Sequence, residues 1–170
     1  VSGEKIGRDA DAIAWHPNGT SLAVADNINT LYHYNFVSRP LVFKDLKLVI
    51  NNRLVINGSL QFQGNCLIQG NNQIIDFAST GTISISENSQ LCIENAILTG
   101  IKGDKIHCTH DSSSLVLNDV YWIQDASTTF STGSILIQDY VCMKGNSIFA
   151  YQSNQTSTID TETKLKLSSN

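Results

Sequence analysis

From Leu41 onward, short apolar runs alternate with Gly, Asn, Asp and Ser. Within each run, apolar and polar positions follow one another with a period of two. Such runs read as half-buried strands, and the residues between them read as turns. The strands predicted in this way are 47–50, 54–57, 60–62, 66–68, 73–77, 82–85, 91–93, 96–98, 106–108, 115–117, 120–123, 135–137 and 140–142. No stretch carries a 3.6-residue period over ten residues. Ala, Leu, Glu and Lys never accumulate, so no helix is predicted.

One phrase recurs along this region. A Ser or Gln is followed by apolar-x-apolar, then a small or polar turn, then a second short strand. It runs over 59–70, 90–100, 114–124 and 134–145, and 164–167 reads as the start of another. The first apolar positions are Leu60, Leu91, Leu115, Ile135 and Leu165, with spacings of 31, 24, 20 and 30 residues. A unit of this size cannot bury its apolar side alone. Stacking the units in parallel lets each backbone bond the next and builds one continuous core.

Alternation then places Leu60 and Phe62, Leu91 and Ile93, Leu115 and Leu117, and Ile135 and Ile137 in one inward column. Gly64, Asn95, Asp119 and Asp139 follow these pairs. They are residue types that accept the left-handed backbone of a tight corner. The next strand is expected to point Ala96 and Leu98, Val120 and Trp122, and Tyr140 and Cys142 inward. The predicted class is an all-β parallel β-helix of about four to five coils over 41–170. An antiparallel sandwich of short strands is the competing arrangement.

Residues 1–40 follow a different pattern. Strands on either side of Pro17-Asn18-Gly19 form a β-hairpin, and a third strand at 30–36 follows a turn at Asp26-Asn27. The expected role of this three-strand segment is to cap the open end of the β-helix or to serve in assembly, because exposed strand edges invite aggregation.

Composition narrows the function classes. Only 15% of the residues are charged and the net charge is −4, while Ser, Thr, Asn and Gln fill 57 of the 170 positions. No Lys/Arg cluster exists, so no nucleic-acid partner is expected. No run of eighteen apolar residues occurs, so no membrane-inserted helix is expected. The chain opens on Val1 without a signal segment, which reads as a trimmed or partial product. Cys66, Cys92, Cys108 and Cys142 form no C-x-x-C pair. Their even number permits two disulfides, yet three of them sit inside apolar strand patterns, as small buried side chains do.

The region from about Leu41 to Asn170 resembles right-handed parallel β-helices of the pectin-lyase-like kind, especially the repeat-rich surface proteins of bacteria. The Trp15-His16-Pro17-Asn18-Gly19 turn before Leu22-Ala23-Val24 resembles one blade of a WD-repeat β-propeller. The β-helix resemblance implies a fold and leaves the activity open. Pectin-lyase-like enzymes use clustered Asp residues or an Arg/Lys base beside calcium carboxylates, and this chain has no Asp-Asp pair, no Gly-His-Gly and no Arg-Ile-Lys.

Candidate chemistry is sparse. His107, His110 and Asp111 form the one cluster of metal-competent groups, but strand alternation puts the two histidines on opposite faces. Asp119 and Asp139 fall at equivalent places on successive coils, about 5 Å apart at strand spacing. The mixed residue types of that column point to turn formation rather than acid/base work. Trp15, Tyr32, Tyr34, Tyr121 and Tyr151 are candidates for stacking on sugars. No catalytic residue, cofactor or assigned metal is expected. The expected function is a non-enzymatic structural or adhesion module, extracellular or at a cell surface. Its expected partners are other copies of itself, through head-to-tail filaments, and surface or matrix polysaccharide. The alternative is a carbohydrate-binding or polysaccharide-degrading protein on the same scaffold.

Overall fold

The computed structural model describes residues 40–161 and 163–169, together with the strands Asp9–Trp15 (β1), Ser21–Asp26 (β2) and Leu31–Asn35 (β3). The described residues form an all-β parallel solenoid of about six turns without a helix. Coil one contains Leu41–Lys44 (β4), Lys47–Val49 (β5) and Leu54–Ile56 (β6). Coil two contains Ser59–Gln63 (β7) and Asn65–Phe77 (β8). Coil three contains Thr82–Ile85 (β9) and Gln90–Ile101 (β10). Coil four contains Ile106–Cys108 (β11) and Ser114–Gln124 (β12). Coil five contains Thr128–Phe130 (β13) and Ser134–Lys144 (β14). Coil six contains Phe149–Tyr151 (β15), Thr158–Ile159 (β16) and Lys164–Ser168 (β17).

Each coil has three faces. The first face is the sheet β4-β7-β9-β11, and the pair β13-β15 takes that place in the later coils. The second face is β5, the first halves of β8, β10, β12 and β14, and then β16. The third face is β6, the second halves of the same long strands, and then β17. Six coils form where the sequence predicts four to five. The short strands of coil one carry no copy of the repeated phrase, and β17, which reads in sequence as the start of a further unit, is instead the third side of coil six.

The long strands turn the corner between the second and third faces at a left-handed residue. Asn95, Asp119 and Asp139 each sit at φ 51°, and coil two uses Asn71 and Asn72 at 48° and 59°. In this conformation Cβ crowds the backbone carbonyl, which Asn and Asp tolerate best among residues other than Gly. Gly64 does not belong to this column. It turns the corner between the first and second faces, at φ 67°, as do Asp45 at 49° and Asn88 at 52°. A Cβ on Gly64 would collide with the Asp45 carboxylate.

The same correction applies to Leu60 and Phe62. They lie level with Leu41 and Phe43 below and Ile83 and Ile85 above, on the first face. The residue level with Leu91 is Cys66, and the one level with Ile93 is Ile68. The physical reason is a degenerate pattern: apolar-x-apolar followed by a left-handed residue describes the approach to either corner. Leu165 likewise lies level with Val141 on the third face, away from Leu91. The second-face rows are Cys66-Leu91-Leu115-Ile135 and Leu48-Ile68-Ile93-Leu117-Ile137, all buried. On the third face, Leu54, Ile75, Leu98, Trp122 and Met143 form one inner row, and Ala96, Val120 and Val141 form another.

Tyr140 and Cys142 also depart from the expected pattern. Between coils four and five the register shifts by one residue, so Val120 pairs with Val141 and Trp122 with Met143. Asp139 and Tyr140 together oppose Asp119, which is a β-bulge. The extra residue reverses alternation along the rest of β14. Val141 and Met143 face the core, while Tyr140 and Cys142 fall in the outward row, where Cys142 is nonetheless buried.

At the other end, β1 pairs in parallel with β5, and β1-β2-β3 continue the sheet as an antiparallel ribbon. The strands therefore cover the second-face edge of coil one. The turn at Pro17-Asn18-Gly19 lies outside the described residues. All four cysteines are free thiols.

Candidate functional site

The outer surface of the third face gathers the most chemistry. The inner residues of this face are fixed by the core, so alternation leaves their neighbours pointing outward. Ile97, Tyr121, Cys142 and Lys166 stand level on β10, β12, β14 and β17. The bulge adds Tyr140, level with Lys164, and β14 ends this surface at Lys144. Together they line an open groove of about 470 Å³ whose charged lining side chains are Lys144 and Lys166.

Tyr121 is 49% exposed. Its ring centroid lies 5.7 Å from that of Tyr140, and the two planes are tilted by 55°. This is a favourable pair geometry for two quadrupolar rings. It makes a wedge rather than a flat platform. Desolvation pushes the Tyr140 phenol above its ordinary value, and the adjoining Cys142 thiol and Tyr121 add to that shift. Cys142 is buried beneath this surface although it belongs to an outward row.

The other sequence candidates lie apart from this groove. His107 is on β11, with its Nδ1 3.0 Å from the Asp104 carbonyl oxygen. His110 follows that strand on an exposed turn, where its Nδ1 lies 2.9 Å from Ser112 Oγ and its Nε2 lies 3.7 Å from Glu87. Asp111 is exposed beside it. Among the described residues, no three His, Cys, Asp or Glu side chains converge on a point that would hold a metal. Asp119 and Asp139 stand on successive coils, exposed, at the corner that opens the groove. Tyr151 is half-buried and donates its hydroxyl to the carbonyls of Gln155 and Gly133, at 2.7 and 3.1 Å. Its ring stacks on Phe130 at 6.0 Å, so it works as packing. Trp15, Tyr32 and Tyr34 fall on β1 and β3, and their side chains lie outside the described residues. Tyr140 was missed from sequence because alternation without the bulge turns it inward. The local signal was the extra residue between Gln138 and Val141 relative to Asn118 and Val120.

Elsewhere the outer polar residues bond from coil to coil. Gln61 donates to Ser86 at 2.9 Å, Thr82 to Ser59 at 3.0 Å, Gln90 to Ser114 at 3.2 Å, and Asn71 to Asn51 at 3.1 Å. No protein-family model, curated protein or solved structure matches the chain.

Proposed function

We propose that this chain is a non-enzymatic structural and adhesion module of the cell surface or extracellular space. The observation that carries this reading is the direction of its polar side chains. Outer Gln, Ser, Thr and Asn residues hydrogen-bond along the solenoid axis to polar residues of the neighbouring coil, rather than converging on one reactive point. Such ladders stiffen a rod and leave a wet, weakly charged surface. Kinship with pectin-lyase-like surface repeats, and of residues 1–40 with a WD-repeat blade, is part of the same proposal.

End-to-end assembly is the second element of this reading. The inner rows run on into coil six, where Ile159 is 53% exposed and Leu167 is 72% exposed. A cleft of about 320 Å³ beside Met143, Phe149 and Leu167 opens at the same place. A further rung from another copy would cover these side chains by strand addition. Negative-stain microscopy at high protein concentration tests it. Filaments that shorten or vanish with Leu167→Glu are expected, and particles of single-copy size at every concentration would overturn end-to-end assembly.

The alternative, a carbohydrate binder, rests on the exposed Tyr121 ring. Binding to a panel of polygalacturonan, alginate and glucan that is lost in Tyr121→Ala would favour it. Turnover of any of these substrates, abolished by Asp119→Asn with Asp139→Asn, would replace the structural reading with an enzymatic one.

A further inference from the structure

Two phenol rings from consecutive coils meet on an open surface. Tyr121 on β12 is 49% exposed, and Tyr140 on β14 is half-buried beside it. Their centroids are 5.7 Å apart and their planes are tilted by 55°. Tyr151 offers no such pair, because its hydroxyl is bonded to two carbonyls and its ring stacks on Phe130.

The bulge creates this contact. Without the extra residue between Gln138 and Val141, alternation would turn Tyr140 into the core. Bulges re-aim side chains, and they also break the ladder where they occur. The ladder between β12 and β14 is interrupted at Asp119. The ring pair spans that interruption from the outside.

We propose that Tyr121 and Tyr140 are a covalent modification site, at which a peroxide-driven, one-electron oxidant couples the two rings into a dityrosine that joins coil four to coil five. Each phenol gives up one electron and its hydroxyl proton and becomes a phenoxyl radical. The two radicals join through ring carbons ortho to the oxygens, the Cε atoms. The hydrogen on each bonded carbon then moves to a phenol oxygen, which restores both aromatic rings. The net loss is two hydrogen atoms, which reduce one hydrogen peroxide to two waters.

The geometry suits this bond better than a parallel stack would. Ortho substituents clash when a biaryl is coplanar, so its rings stay twisted, as these already are. The Tyr121 ring faces solvent on one side, so rotation about its side-chain bonds can bring the reacting carbons together. The product is a covalent rung within one copy. Its use rests on the structural role proposed above, while its chemistry does not.

Treatment of the whole chain with a haem peroxidase and hydrogen peroxide tests the site. The expected product is a single chain lighter by two hydrogen atoms that shows biphenol fluorescence. Cleavage before Asp119, Asp125 and Asp139 places the two tyrosines on separate fragments. These fragments should stay joined after oxidation. Tyr121→Phe and Tyr140→Phe should each abolish both signals, and circular dichroism would verify that both variants fold. Leu167→Glu acts on the end-to-end contact and should leave the link unchanged, so the two proposals fail separately. Fluorescence confined to products of doubled mass would overturn the site. So would fluorescence that survives both Phe variants. Loss of the Cys142 thiol without biphenol fluorescence would also overturn it, because it would assign the coupling to the thiol beside Tyr140.

Discussion

Trp122 and Phe149 meet edge to face, with ring centroids 5.9 Å apart and planes at 84°. Trp122 is 1% exposed, and its indole Nε1 has no hydrogen-bond partner among the described residues. The ring thus fills a rung of the third-face inner row between Leu98 and Met143 while leaving a donor unsatisfied. Trp122→Ala should cost about 3–5 kcal/mol, the price of a large buried aromatic. Trp122→Phe should cost much less, because removing the orphaned N–H recovers about 1–3 kcal/mol of desolvation and offsets part of the lost volume. Urea unfolding of the two variants checks the order. Equal losses would mean that the donor is satisfied in solution.

Lys105 is tied to the neighbouring coil. Its Nζ donates to the carbonyls of Ala78 and Ser79, at 2.8 and 2.5 Å, and the residue is 7% exposed. These carbonyls belong to the turn between the third and first faces, where the Ala78 carbonyl also accepts the Gly81 N–H at 3.0 Å. Lys105→Met keeps the buried stem and removes the donor, so it should cost about 1–3 kcal/mol. Lys102→Met, on the exposed side of the same turn, should change stability by less than about 0.5 kcal/mol. Thermal denaturation of the pair separates a corner clamp from a solvated lysine.

Asp76 links coils one, two and three through side chains. Arg53 donates to its Oδ2 at 2.6 Å and Thr99 to its Oδ1 at 2.8 Å. Burial raises the Asp76 carboxyl, but the Arg53 and Thr99 hydrogen bonds and the Arg53 charge outweigh it and hold the group below its ordinary value. A depressed carboxylate contributes stability above its unfolded value, about 3.9, and loses it as the pH falls through the lower folded value. Arg53 is 61% exposed, so the gain at neutral pH should stay below about 1 kcal/mol. Unfolding followed from pH 5 to pH 2 should lose less stability in Arg53→Ala than in the parent chain.

Cys66, Cys92 and Cys108 should be inert until the solenoid opens. Burial pushes the Cys92 thiol up to about 11 and the Cys108 thiol up to about 12, and it raises Cys66 as well. The thiolate is the nucleophile, so at pH 8 these groups present almost none of the reactive form. Labelling with an aromatic disulfide should be slow in the folded chain and should reach all four thiols in denaturant. Rapid native labelling of Cys108 would show that the first face opens locally.

The all-β solenoid was legible in sequence for a definite reason. Runs of a few alternating residues, broken by Asn, Asp and Gly, have neither the length nor the period to form helices. They can hide their apolar sides only by stacking. Leu91 with Ile93, Leu115 with Leu117, and Ile135 with Ile137 carry that signal on identical offsets, and their spacings of 24 and 20 residues reappear as the paired registers. The left-handed Asn95, Asp119 and Asp139 mark one corner three times over. What tertiary structure decided was which row each run joins. Leu60 and Phe62 satisfy the same pattern as Leu91 and Ile93 yet lie on another face. A local pattern does not count the corners that precede it. Tyr140 and Cys142 face outward because one extra residue at a corner inverts every later position of the strand, and a period of two carries no memory of that insertion. The groove that those two residues line therefore depends on pairing between coils, which only the folded chain sets.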